Sequence, residues 1–94
     1  MRIATLCGMG FGTSMMLKLD IDRMLKEEGI EATVMPWDLG SFKGQHADLI
    51  VAASDMESNL AGASAKLVLI RNLVDKDEIR TKLLEAIAEL EGGA

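Results

Sequence analysis

Cys7 is the single cysteine of the chain. In the stretch TLCGMGFGTSMM it is followed by Gly8, Gly10 and Gly12 at alternate positions, then by the hydroxyls of Thr13 and Ser14. RIATLC, residues 2–7, is short and apolar and reads as a buried strand, and an amphipathic pattern starts after Ser14. A strand, a glycine-rich turn and a helix start make an anion site. The first N–H groups of a helix have no internal acceptor, and the helix dipole adds partial positive charge. Glycines permit the backbone angles that turn successive N–H groups inward. The cradle predicted for a phosphate is Gly8, Met9, Gly10, Phe11, Gly12, Thr13 and Ser14.

Three chemistries use such a turn. A Walker loop needs Lys followed by Ser or Thr after its last glycine, whereas Thr13-Ser14 follows Gly12 and the next lysine is Lys18. A dinucleotide fingerprint is G-x-G-x-x-G, whereas Gly8, Gly10 and Gly12 give G-x-G-x-G. The third chemistry uses the thiol. N–H groups and a helix N-terminus favour the thiolate, so the Cys7 pKa is expected below the free value of about 8.5. The product would be an S-phosphocysteine held by the loop. Cysteine-dependent phosphatases use C-x5-R, whose arginine clamps the phosphoryl oxygens bidentately. Here Thr13 stands at that position. A hydroxyl donates a hydrogen bond but carries no charge. That suits a relay, whose phosphocysteine must survive until an acceptor arrives, better than a phosphatase.

The elements that must position this loop read as β-α-β-(short)-β-(short)-β-α. From Thr13 to Glu28, Leu17, Ile21, Met24 and Leu25 recur at helical spacing, Thr13 or Ser14 can cap the first turn, and Gly29 is a left-handed stop. IEATVMPW, residues 30–37, reads as a strand that Pro36 assigns to a sheet edge. DLIVAAS, residues 48–54, and KLVLIRN, residues 66–72, read as further strands. Asp75 and Glu78 have capping-box spacing, and Val74 and Ile79 have that of a hydrophobic staple. The stripe Ile79, Leu83, Ile87 and Leu90 follows, with Leu84 and Ala86 beside it. Alternation of this kind predicts a small three-layer α/β fold, one domain over residues 1–94, with a parallel four-stranded sheet in the order 2-1-3-4. Ligands of such sheets bind at the carboxyl ends of strands where the order reverses, here between strands one and three. Cys7 ends strand one.

Composition narrows the functional classes. A net charge of −5 disfavours nucleic acid, whose binders present basic faces. The longest apolar run, LIVAA, is far short of a bilayer span of about 20 residues. No secretory signal is read at the N-terminus, and a lone cysteine fits a reducing compartment, so a cytoplasmic location is expected. His46, the single histidine, has no Cys or second His beside it, and no metal site or cofactor is predicted. His46 sits in a polar loop and reads as a surface residue, with a phosphoryl acceptor as the alternative. Arg71 follows strand four on the edge of Cys7, where it either helps hold phosphate or a partner's acid, or forms a surface ion pair. Asp38 and Asp55 follow strands two and three on that edge, as proton-transfer acids or, more simply, as caps. Met9, Phe11, Met15 and Met16 suit a docking rim. Alternatively, Met15 and Met16 begin the buried helix face.

These features resemble the IIB component of the bacterial phosphoenolpyruvate-dependent sugar phosphotransferase system (PTS). LCGMGFGTSMMLKLDID is most similar to ascorbate-type IIB proteins, close to the galactitol and lactose/cellobiose types. LVLIRNLVDKDEI also resembles the ascorbate-type pattern, with Arg71-Asn72 after the last strand. The resemblance implies a phosphotransferase in which Cys7 accepts a phosphoryl group from phosphohistidine on a IIA protein. Cys7 would pass it to a sugar, ascorbate or a related substrate, held by the membrane component IIC. It implies a cytoplasmic protein transiently at the inner membrane face through IIC. A IIB-like regulatory phosphorylation module and a small cysteine-dependent phosphatase are the alternatives.

Overall fold

The computed structural model describes residues 1–6, 11–37, 46–60 and 65–92. Four strands, β1 (Arg2–Leu6), β2 (Thr33–Trp37), β3 (Leu49–Ala53) and β4 (Lys66–Ile70), form one sheet in the order β2-β1-β3-β4. All three pairings are parallel. Helix α1 (Phe11–Glu27) follows β1, and α2 (Lys76–Gly92) follows β4. Short 3-10 segments, Ser54–Met56 and Ser58–Leu60, follow β3. The strand order is the one expected from right-handed crossovers.

Two clusters of buried side chains make the core. Leu17, Ile21, Met24 and Leu25 of α1, with Ile79, Leu83, Ala86 and Ile87 of α2, cover Ile3, Val34, Leu49, Val51, Val68 and Ile70. Both helices therefore lie on one face. On the other face, Ala4, Leu6, Trp37, Ile50 and Ala52 pack with Ala47, Met56 and Leu60. Handedness explains the division. The chain moves one way from β1 to β2 and the opposite way from β3 to β4, so right-handed connections place these two crossovers on opposite faces. The period-2 alternation of strand side chains feeds both clusters.

The helix ends show which local signals the fold uses. Gly29 has φ +71°. The Gly29 amide donates to Lys26 O and the Ile30 amide to Leu25 O, the paired bonds of a Schellman stop, and Ile30 packs against the core. Ile30 is spent on that stop, so β2 begins at Thr33 rather than at residue 30. At α2, the Glu78 amide donates to Asp75 Oδ1 at 3.1 Å, half of the expected capping box. The other half is replaced, because the Glu78 carboxylate accepts from the amides of Arg71 and Asn72. The expected staple does not form. Val74 is 80% exposed, and its neighbour Leu73 packs against the core instead.

Both sheet edges are blunted against pairing with another strand. Pro36 removes a donor from β2. On β4, Lys82 Nζ donates to Leu69 O at 2.9 Å.

Candidate functional site

The carboxyl ends of the strands form one edge. The register sets Leu6 beside Trp37 and Ala52, and Ala52 beside Leu69. The strand order reverses between β1 and β3, so the crevice of this architecture opens beyond Leu6. Cys7, Gly8, Met9 and Gly10 come next in the sequence and lie outside the described residues, as does Asp38.

Helix α1 starts at Phe11, two residues ahead of the expected start at Thr13. Phe11, Gly12, Thr13 and Ser14 thus supply its first turn. This corrects the expectation that Thr13 or Ser14 is the N-cap, since a cap residue stands outside the helical turns. Gly12 costs a helix roughly 1 kcal/mol, and the burial of Leu17, Ile21, Met24 and Leu25 outweighs it. The earlier start brings the helix closer to the end of β1. Three residue amides, of Phe11, Gly12 and Thr13, have no intrahelical carbonyl in such a turn. They and the helix dipole favour an anion at this edge.

The structure brings Arg71 and Asp55 to the same edge. Arg71 is exposed, one residue beyond β4. Its backbone amide donates to Glu78 Oε2 at 2.8 Å, while its guanidinium forms no ion pair among the described residues. The surface ion pair considered for it is therefore not made there. Asp55 is exposed inside the 3-10 segment that follows β3. The N-cap of that segment is Ala53, with no side-chain cap, so Asp55 does not serve as the cap considered for it. His46 is exposed and precedes β3, which puts it at the amino edge, across the sheet from Leu6.

Met15 is 37% and Met16 66% exposed, so the burial considered for them does not occur. Leu17 turns inward instead, and Leu19 is 53% exposed. The sequence reading missed what two residues do, Glu78 beyond its capping-box spacing and Lys82. Glu78 carries the connection from β4 to α2, and Lys82 neutralises it at 2.7 Å. The i,i+4 spacing of Glu78 and Lys82 was the available signal.

A family model described as "PTS system, Lactose/Cellobiose specific IIB subunit" matches residues 2–85. The chain belongs to the PTS IIB family. Among similar proteins, the ascorbate-specific PTS system EIIB component of Mycoplasma pneumoniae is 34% identical over 90 residues, 93% of this chain and 95% of that protein. The ascorbate-specific EIIB components of Salmonella choleraesuis and Escherichia coli O157:H7 are each 33% identical over 91 residues, 94% of this chain and 90% of theirs. As a PTS IIB chain, the protein is a component of a phosphotransferase system. Among the described residues, no helix is long and apolar enough to cross a membrane.

Proposed function

We propose that this PTS IIB chain is a phosphoryl carrier with Cys7 as its nucleophile. In the step envisaged, the Cys7 thiolate attacks phosphorus in line. The S–P bond forms, the N–P bond to the histidine of a IIA donor breaks, and the electron pair stays on that nitrogen. Amides of Gly8, Met9, Gly10, Phe11, Gly12 and Thr13, with the hydroxyls of Thr13 and Ser14, hold the phosphoryl oxygens. A second transfer delivers the group to a sugar on the membrane component IIC, with ascorbate or a related compound as the substrate. The chain works in the cytoplasm and meets the membrane through IIC.

The observation that carries the reading is positional. Leu6, the residue before Cys7 in the sequence, ends the central strand β1 at the reversal of strand order, and α1 begins at Phe11. The ascorbate-specific names of the relatives support the substrate class. The test is intact-mass measurement after incubation with phosphorylated IIA. Wild-type protein gains one phosphoryl group, and Cys7→Ser gains none. A phosphoryl group on another residue of Cys7→Ser would overturn the assignment. No turnover of p-nitrophenyl phosphate is expected, since Thr13 stands where phosphatases have arginine.

A further inference from the structure

Ser54, Asp55, Arg71 and Asn72 line one open depression of about 460 Å³ at the carboxyl ends of β3 and β4. Its floor includes Ala53 and Ile70, the last paired residues of those strands. Among the described residues, Lys18, Arg23, Lys66, Lys76, Arg80 and Lys82 each meet a carboxylate. The Arg71 guanidinium meets none among the described residues, although Asp55 lines the same depression and Glu78 bonds the Arg71 backbone. Asp55 lines the same depression without pairing with it. Glu78 is held against the Arg71 backbone, not its side chain. Its carboxylate is filled by the amides of Arg71 and Asn72 at 2.8 and 3.0 Å and by Lys82 Nζ at 2.7 Å. The fold thus fixes the backbone at Arg71 and pairs its charge with no acid among the described residues.

The place of this charge matters for an acidic chain. With a net charge of −5, the molecule as a whole repels a phosphoryl dianion. Leu6, the residue before Cys7, is two strands from β4 through the register Leu6, Ala52, Leu69. Two strand spacings are roughly 10 Å. That interval is on the scale of an arginine side chain together with an S-phosphoryl group. The guanidinium fork suits phosphoryl oxygens bidentately.

We propose that the Arg71 guanidinium binds the phosphoryl oxygens while the group passes between its donor and Cys7. The inference rests on the reading of Cys7 as the acceptor. Arg71 gives hydrogen bonds and charge, and it neither gains nor loses a proton. It supplies from β4 the cation that the loop lacks at Thr13. Asp55 opposes an anion in the same depression. It keeps inorganic phosphate from settling there, while a group delivered by a docked partner can still reach Arg71.

The test is the rate of phosphoryl transfer from phosphorylated IIA to wild-type protein, Arg71→Ala, Arg71→Lys and Asp55→Asn, at varied donor concentration and salt. Arg71→Ala is expected to lose about ten- to a hundredfold in the saturating rate, the scale of a charged hydrogen bond, with little change in KM. Arg71→Lys keeps charge without the fork and falls between. Asp55→Asn transfers at least as fast as wild type. Thermal melting of Arg71→Ala stays at the wild-type value. A wild-type rate in Arg71→Ala overturns the inference. So does a loss confined to KM that disappears at high salt, which would mean that Arg71 pairs with a carboxylate of the partner. Equal slowing by Asp55→Asn also overturns it. Wild-type protein that takes up no phosphoryl group overturns the carrier reading itself.

Discussion

Glu78 holds three donors at once: the amides of Arg71 and Asn72 and the ammonium of Lys82. The Lys82 hydrogen bond and the Arg71 amide lower its carboxyl from 4.5 to about 2, against the cost of desolvation. The folded state therefore holds its proton less tightly than the unfolded chain. The stabilisation is complete above the unfolded value of 4.5 and is lost as pH falls towards about 2. Denaturant titrations between pH 6 and 2 should show stability falling through that window, and Glu78→Gln should flatten the fall. An equally steep fall in the variant would assign the acid sensitivity elsewhere. The spacing of Asp75 and Glu78 announced a helix start, and Asp75 does cap it. It did not announce that Glu78 reaches back to β4. That choice depends on where β4 ends relative to α2, which no local signal encodes.

Helix α1 shows how one element serves two surfaces. Leu17, Ile21, Met24 and Leu25 are buried, and this stripe was legible because apolar residues at helical spacing must share a face. Met15, Met16 and Leu19 follow the same spacing rule but remain exposed on one side of the helix, in the turns nearest the carboxyl edge of the sheet. Exposed methionines form an adaptable apolar surface suited to partners that dock in turn. The double variant Met16→Asp, Leu19→Asp should melt close to wild type, since neither side chain is in the core. It should raise the donor KM for phosphoryl transfer about tenfold or more. Unchanged transfer kinetics would remove this face from the docking surface. The sequence alone could not sort these methionines, because Met15 and Leu17 are both apolar and only the angle at which α1 crosses the sheet separates them.

Across the whole molecule, stability concentrates where both helices meet one face of the sheet. Leu83 is fully buried in that cluster with Ile21, Val51 and Ile79. Leu83→Ala should cost about 2–5 kcal/mol, measured by urea unfolding, a large share of the roughly 5–15 kcal/mol of a typical domain. A loss below 1 kcal/mol would mean that the site collapses around the cavity. The sequence by itself determined the parallel sheet, its order 2-1-3-4 and the Gly29 stop. Those follow from residue periodicity, glycine stereochemistry and crossover handedness, which are local or topological rules. Tertiary structure alone decided that α1 starts at Phe11, that Val74 staples nothing, that His46 lies across the sheet from the carboxyl edge, and that Arg71 shares a depression with Asp55 but pairs with no acid among the described residues. Such outcomes turn on contacts of about 1 kcal/mol between residues far apart in sequence. Only strand register and helix placement bring those residues together.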